Sequence, residues 1–517
     1  MSSRKAMWVM MIFCFSLLFV TGCQKTPEQT ETEDEIPVEG VTEIPQTQKG
    51  GKITIAMRAP KSLNPILNMD KTVDQTLKLV FDTLIDFDEK DQVIPHIAKS
   101  WTSSEEGTVV DIQLNSHIKW HDGTPLSAND VVFSLKSIQE APESPYKPSV
   151  KNIVSYKAVG NNAVRIVYRE PFSGYPSTLY FPVIPAHVEQ LSSHPVGSGA
   201  YKFDSSTTTK QMNLVGNTNY YKGAPNVPHI EVLFTPDPES DLYSFDQGII
   251  DVVSTDVVDW EKYGKNKKSI IHEYTTGYYD YIGLNFNKSV LQDIRIRQAL
   301  LYATNREYIL EKIFLYHGVV SDVPVSPFSW LYELQSKQYE TDIKKAKKLL
   351  DGKAITLELL VNKENTQRKD VAMALKKMYK DIGIDLEIAE VDKEAFMNKI
   401  TAGQFDLFLG GWDLSIIPDL SFAFHSGSIV RGANYGGYAS SEMDQLLKDA
   451  FVAKNDENLQ QAYSKLQMHI SKNLPYVSLY FRTSALITNE KIKGNIKAHH
   501  MNIYQNVYQW YIGDSTP

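Results

Sequence analysis

The sequence predicts an α/β protein of more than one domain, and three observations carry that prediction. The chain has 517 residues, enough to divide into domains. From residue 50 to about 285 it is rich in alternating strand patterns. Beyond that it switches between strand and helix periods in the order β-α-β-α-β, the pattern of a largely parallel sheet with right-handed crossovers. Composition is globular, 42% hydrophobic and 22% charged. A net charge of -9 with no basic block argues against nucleic acid as a partner.

The first 22 residues read as an export signal. Arg4 and Lys5 precede an apolar run from Ala6 to Val20, which is too short for a comfortable membrane span. Val20-Thr21-Gly22-Cys23 follows and resembles a bacterial lipobox, which implies that Cys23 is acylated and begins the mature protein. Residues 23–49 carry Glu28, Glu31, Glu33, Asp34, Glu35, Glu39 and Glu43 against Lys25 and Lys49, with no periodic apolar face. Such a segment cannot offset its ordering entropy and is expected to be a disordered, extended tether. The only other cysteine is Cys14, inside the signal, so the body has no disulfide, no thiol nucleophile and no cysteine metal site.

Folding is expected from Gly50-Gly51. Lys52 to Met57 alternates as a strand; residues 108–120 alternate through Val110, Ile112, Leu114, Ile118 and Trp120; Val164 to Tyr168 is another strand. In the second half Ile355 to Val361 reads as a strand. Val371, Leu375, Met378 and Ile382 keep helical spacing up to a stop at Gly383, and strands follow at Ile384 to Ile388 and Phe405 to Leu409. Ser441-Glu442-Met443-Asp444 resembles a capping box opening a helix with Met443, Leu446, Leu447, Ala450 and Phe451 on one stripe. A last strand is expected from Tyr476 to Phe481.

No phosphate-binding loop, dinucleotide fingerprint, nucleophile elbow or His-Glu-x-x-His is present, and no carboxylate pair stands out as acid and base. No catalytic residue, metal or cofactor is therefore expected, and the chain is read as a non-enzyme. His117 and His121 flank a strand and turn. His499-His500, as strand neighbours, are expected to point to opposite faces and not to chelate jointly.

Six segments, in order, resemble the oligopeptide- and dipeptide-binding family of ABC-importer solute-binding proteins. They are Ile94 to Trp101, Ile118 to Val131 with its His121-Asp122-Gly123-Thr124-Pro125 core, Pro195 to Tyr201, Phe245 to Val252, Asp293 to Leu300 and Leu474 to Tyr480. Read structurally, Ser127 or Asn129 caps a helix, Gly197 and Gly199 allow a sharp turn, and Arg295 and Arg297 enter structural ion pairs. The resemblance implies a two-lobed, periplasmic-binding-protein-like flytrap fold with an inserted strand-rich subdomain. One lobe would comprise residues 50–84, 195–283 and 484–517, the insert 85–194, and the second lobe 284–483. It implies an extracytoplasmic, lipid-anchored protein at the cell membrane, monomeric, that captures a short peptide and delivers it to ABC-importer permease subunits. Bound peptide would pair its main chain with protein backbone.

The expected ligand segment is Gly410 to Asp419, after the Phe405 to Leu409 strand, since ligands of open α/β sheets sit at the carboxyl ends of strands. Peptide-binding relatives resemble "G-W-x-x-D-Y-x-D-P" here, and the Asp three after Trp holds the peptide ammonium. In this chain Trp412 is retained and Ser415 takes the Asp position, leaving Asp413 or Asp419 to replace it. Trp412, Asp413, Ser415 and Asp419 are the candidate ligand residues. The alternatives are a same-fold protein for a nickel chelate, an oligosaccharide or a signalling peptide, or a surface-anchored enzyme.

Overall fold

A computed structural model of the chain describes residues 50–513 apart from 105, 205–208, 266–267 and 337–338. The expected export signal, Cys23 and the acidic segment lie outside the described residues. Three larger sheets organise the body. The first runs Lys52–Met57, His229–Phe234, Gln211–Gly216, Tyr201–Phe203, with only the first pair parallel. Ile53, Ile55 and Met57 are buried at every second position, as the alternation predicts.

The second sheet is antiparallel: Ala98–Ser103, Val109–Leu114, Ala163–Tyr168, Ile153–Val159. The alternation read to residue 120 stops as a strand at Leu114; Ile118 and Trp120 are buried from the following turn instead. Helix Ala128–Glu140 packs on this sheet. The Ser127 N–H donates to Asp130 Oδ2 at 2.8 Å, the backward half of a capping box. His121 ties this region to the segment that leads into strand Tyr201–Phe203. Its Nδ1 accepts from Gly197 N–H at 3.2 Å, and its Nε2 faces the Gly199 carbonyl at 3.0 Å. One ring both accepting and donating is a neutral imidazole. Gly197 and Gly199, expected to allow a sharp turn, both lie outside the positive-φ region. They allow close approach: a Cβ on either would collide with the backbone at Leu79–Val80.

The third sheet corrects the expectation of a largely parallel one. Its order is Val252–Thr255, Tyr476–Asn489, Ser269–Leu284, Leu407–Asp413, Ile355–Asn362, Ile384–Val391, with Gly318–Val320 against Tyr476–Asn489. The three strands of the β-α-β-α-β run are parallel. The other half is antiparallel, built on strands of 16 and 14 residues whose mostly buried side chains hide strand period in the sequence. Both cross the expected lobe boundaries, at 283/284 and 483/484. Their pairing breaks between Thr275 and Tyr279, a bulge that contains Gly277. A Cβ at Gly277 would meet the Leu414 carbonyl, so the bulge lies directly against the end of the Leu407–Asp413 strand.

Caps fix the flanking helices. Asn365 accepts from Arg368 N–H at 3.0 Å to open Thr366–Lys380, and Gly383, at φ 94°, ends that turn. Helix Ser441–Phe451 is capped by Ser440, one residue earlier than the capping-box reading. Asp444 binds Ser426 N–H at 2.8 Å instead of folding back. Arg295 pairs with Asp293 at 2.7 Å, but Arg297 is buried and donates to the carbonyls of Leu291, Gln292 and Asn473.

Candidate functional site

Two chambers open along the two long strands and meet at Thr483, with Glu273 lining the first and His317 the second. The Glu273 carboxylate lies 3.2 Å from His317 Nδ1 and accepts from the Thr483 hydroxyl. Chamber one, about 340 Å³, draws its walls from sequence-distant segments: Glu89 and Asp91, Pro324 to Ser329, Leu414 to Pro418, and Lys497 to His500. Chamber two, about 600 Å³, is lined by Tyr278 to Asp280, Asn365 to Arg368, Gly411 to Asp413 and Arg482. Both volumes fall in the range of small-ligand sites, about 300–1,000 Å³.

Chamber two is assembled by strand ends. Strand Leu407–Asp413 finishes in its wall, and the parallel strand Ile355–Asn362 leads into Asn365 and Arg368 at the start of the next helix. Trp412 is half-buried. It packs tilted against Tyr281 at 4.2 Å, stacks on Tyr279 at 5.9 Å and contacts Tyr476, Phe422 and Phe424, so much of its ring is core and an edge lines the chamber. Asp413 is exposed at the chamber edge; its main chain pairs with Tyr278, and its carboxylate makes no hydrogen bond or ion pair among the described residues. Desolvation pushes its carboxyl above the ordinary carboxylate range, with Lys71 pulling the other way.

Opposite charge stands deeper in the same chamber. Asp280 is 3% exposed and is clasped by two guanidiniums: Arg368 at 2.8 Å and Arg482 at 2.5 Å. Arg482 also donates to Gln367 Oε1 at 3.0 Å. Arg368 sits in the first turn of its helix, where the macrodipole disfavours a cation; Asp280 offsets that. Asp256 lines the same chamber and acts on Arg482 from a distance, but only Asp280 binds the guanidiniums directly, which leaves them N–H donors for an anionic ligand group.

The other expected residues lie elsewhere. Ser415 lines chamber one, exposed, its hydroxyl donating to the Ile417 carbonyl at 3.1 Å. Asp419 faces neither chamber; its carboxylate accepts from Ser421 N–H at 3.0 Å at the start of helix Ser421–Phe424. The structure therefore brings Trp412 and Asp413 together and separates them from Ser415 and Asp419. Asp280, Arg368 and Arg482 were missed. The carboxyl-end rule, applied to the Ile355–Asn362 strand as well, points to Asn365–Arg368, and a lone carboxylate inside Tyr278-Tyr279-Asp280-Tyr281-Ile282 signals a buried charge needing partners.

The reading of His499-His500 also changes. Strand Lys497–His499 ends at the first histidine, and a tight turn through His500 and Met501 leads into Asn502–Gln505. Strand alternation no longer separates the rings, whose centroids lie 4.5 Å apart.

The family model "Bacterial extracellular solute-binding proteins, family 5 Middle" matches residues 92–430. Oligopeptide-binding protein AppA of Bacillus subtilis is 26% identical over 503 residues, covering 90% of this chain and 92% of that protein. Among solved structures, NikZ from Campylobacter jejuni in complex with Ni(L-His) is similar at TM-score 0.66 and 26% identity, over 89% of this chain and 99% of that one. Bacillus subtilis AppA in complex with a nonapeptide is similar at TM-score 0.63 and 25% identity, over 90% and 100%. The likeness extends over the two-lobed α/β fold as a whole, and the chain belongs to the bacterial extracellular solute-binding proteins of family 5.

Proposed function

We propose that this protein is an extracytoplasmic binding component of an ABC importer that captures a short peptide between its lobes. The observation that carries this reading is the charge layout of chamber two. An unpaired, desolvated carboxylate, Asp413, and a doubly cationic cluster, Arg368 with Arg482, line the same cavity. A zwitterion satisfies both ends. Its ammonium meets Asp413, standing in for the family position now occupied by Ser415, and its carboxylate meets the guanidiniums. The AppA relative, an oligopeptide-binding protein, supports peptide as the solute class.

Capture proceeds by closure of lobe 284–483 on the lobe formed by 50–84, 195–283 and 484–517, with 85–194 as the insert. The bulge at Thr275–Tyr279 in the two linking strands is the natural hinge. Cys23 anchors the monomer to the outer face of the cell membrane through its lipid, and the acidic tether lets the body reach permease subunits. Native mass spectrometry of protein purified without denaturation tests the ligand class. Co-purifying masses that fragment as peptides support the reading, and masses that fragment as sugars reject it.

A further inference from the structure

We propose that Asp91, His499 and His500 form a site for a divalent transition-metal ion in the wall of chamber one, with open coordination positions facing the cavity. Among the described residues this is the one group of three such side chains whose ligand atoms all lie within 4.8 Å of one another. Asp91 Oδ1 and His499 Nε2 stand 3.0 Å apart, near the ~3.3 Å edge of a tetrahedron with metal bonds of about 2.0–2.1 Å. The His500 ligand atom lies within 4.8 Å of both. Two imidazoles and one carboxylate suit Zn²⁺, Ni²⁺ or Cu²⁺ and disfavour Mg²⁺ and Ca²⁺.

The surroundings hold these groups in place. Asp91 has φ 63°, a left-handed conformation uncommon outside glycine but tolerated by Asp. The turn is pinned by Asp88, whose carboxylate accepts from the Lys90 and Gln92 N–H groups. On the other side, Gln75 donates to the Met501 carbonyl at 3.2 Å and accepts from Ile503 N–H at 2.9 Å, while Tyr180 donates to the same Met501 carbonyl at 2.8 Å. Of the nearby cations, Lys497 pairs with Glu89 and Lys78 with Asp74, while Lys71 lies over the Tyr278 ring and still acts on His500. An ion entering at His499 Nε2 replaces the hydrogen bond to Asp91 and requires the ring proton on Nδ1, which now accepts from Met501 N–H at 3.2 Å, so loading shifts the 499–501 turn.

All three ligands lie in Asp91 and the 499–500 turn, whereas the facing wall is Pro324 to Ser329 and Leu414 to Pro418. Three protein ligands leave at least one position for a donor atom of a solute in the chamber. This goes beyond the peptide reading and does not depend on it, because the ion alone is the probe. Chelator-stripped protein is titrated calorimetrically with NiCl₂ and with ZnCl₂, alongside Asp91→Asn, which keeps the left-handed turn, and His499→Gln. One equivalent is expected to bind, and each substitution to weaken it about 100-fold. X-ray absorption at the metal edge of the loaded wild type is expected to show imidazole scattering. No binding by wild type, unchanged affinity in both variants, or a spectrum without imidazole overturns the site; none of these bears on peptide capture in chamber two.

Discussion

Arg482 Nε donates to the Asp280 carboxylate at 2.5 Å, joining the two long strands within chamber two. Arg368 completes the cluster from a helix on the same chamber. Asp280→Asn removes the only carboxylate these guanidiniums share, leaving two cations with diminished compensation. Loss of a partner from a buried ion pair costs about 3–5 kcal/mol, and the half-buried arginines place this case near the lower end. Urea denaturation is expected to show an unfolding free energy lower by that amount, with the midpoint falling accordingly. An unchanged midpoint contradicts a structural role for the cluster.

His121 makes stability depend on acid. Burial pushes its imidazole down from about 6.5 to about 4, with the hydrogen bond to the Gly199 carbonyl pulling the other way. The unfolded chain takes up the proton first, so the contribution is fully present above about 6.5 and is lost as pH falls toward 4. The stability advantage of wild type over His121→Gln is expected to shrink by about 3 kcal/mol across that window. A difference that stays level from pH 7 to pH 4 contradicts the neutral-ring assignment.

Gly197 serves close approach, and Gly197→Ala tests this. The added methyl meets the Val80 carbonyl, a backbone atom that cannot rotate away. Overpacking of this kind costs about 1–3 kcal/mol. Thermal unfolding is expected several degrees lower, with the native fold retained by circular dichroism. A variant as stable as wild type shows that the Leu79–Val80 segment yields freely.

Cys23→Ala is expected to release the protein from membranes on fractionation of its host. A variant that pellets as firmly as wild type refutes the lipid anchor.

Local chemistry was readable where a residue acts on its near neighbours. The strand Lys52–Met57, the helix start at Ser127 and the crossover from Ile355 to Leu409 all follow from period and caps. The long strands Ser269–Leu284 and Tyr476–Asn489 were underread because burial on both faces erases alternation. The site was legible in half. Trp412 and Asp413 lie on one strand end, so a single segment reveals them. Asp280, Arg368 and Arg482 come from three segments whose meeting is a property of sheet order. Sheet order depends on long-range pairing, on which local period is silent. The His499-His500 reading failed for a smaller reason: a two-residue turn stood where a strand was assumed.

Recognition of a peptide ammonium by Asp413 is the central claim, and calorimetry on wild type and Asp413→Asn with free and N-acetylated forms of one bound peptide tests it most directly. Loss of the partner of a desolvated charge costs about 3–5 kcal/mol, or roughly two to four decades in Kd. Both the substitution and the acetylation are expected to weaken binding on that scale, and the combination to add little to either alone. Asp413→Asn binding free peptide with wild-type affinity, with acetylation making no difference, would contradict the claim.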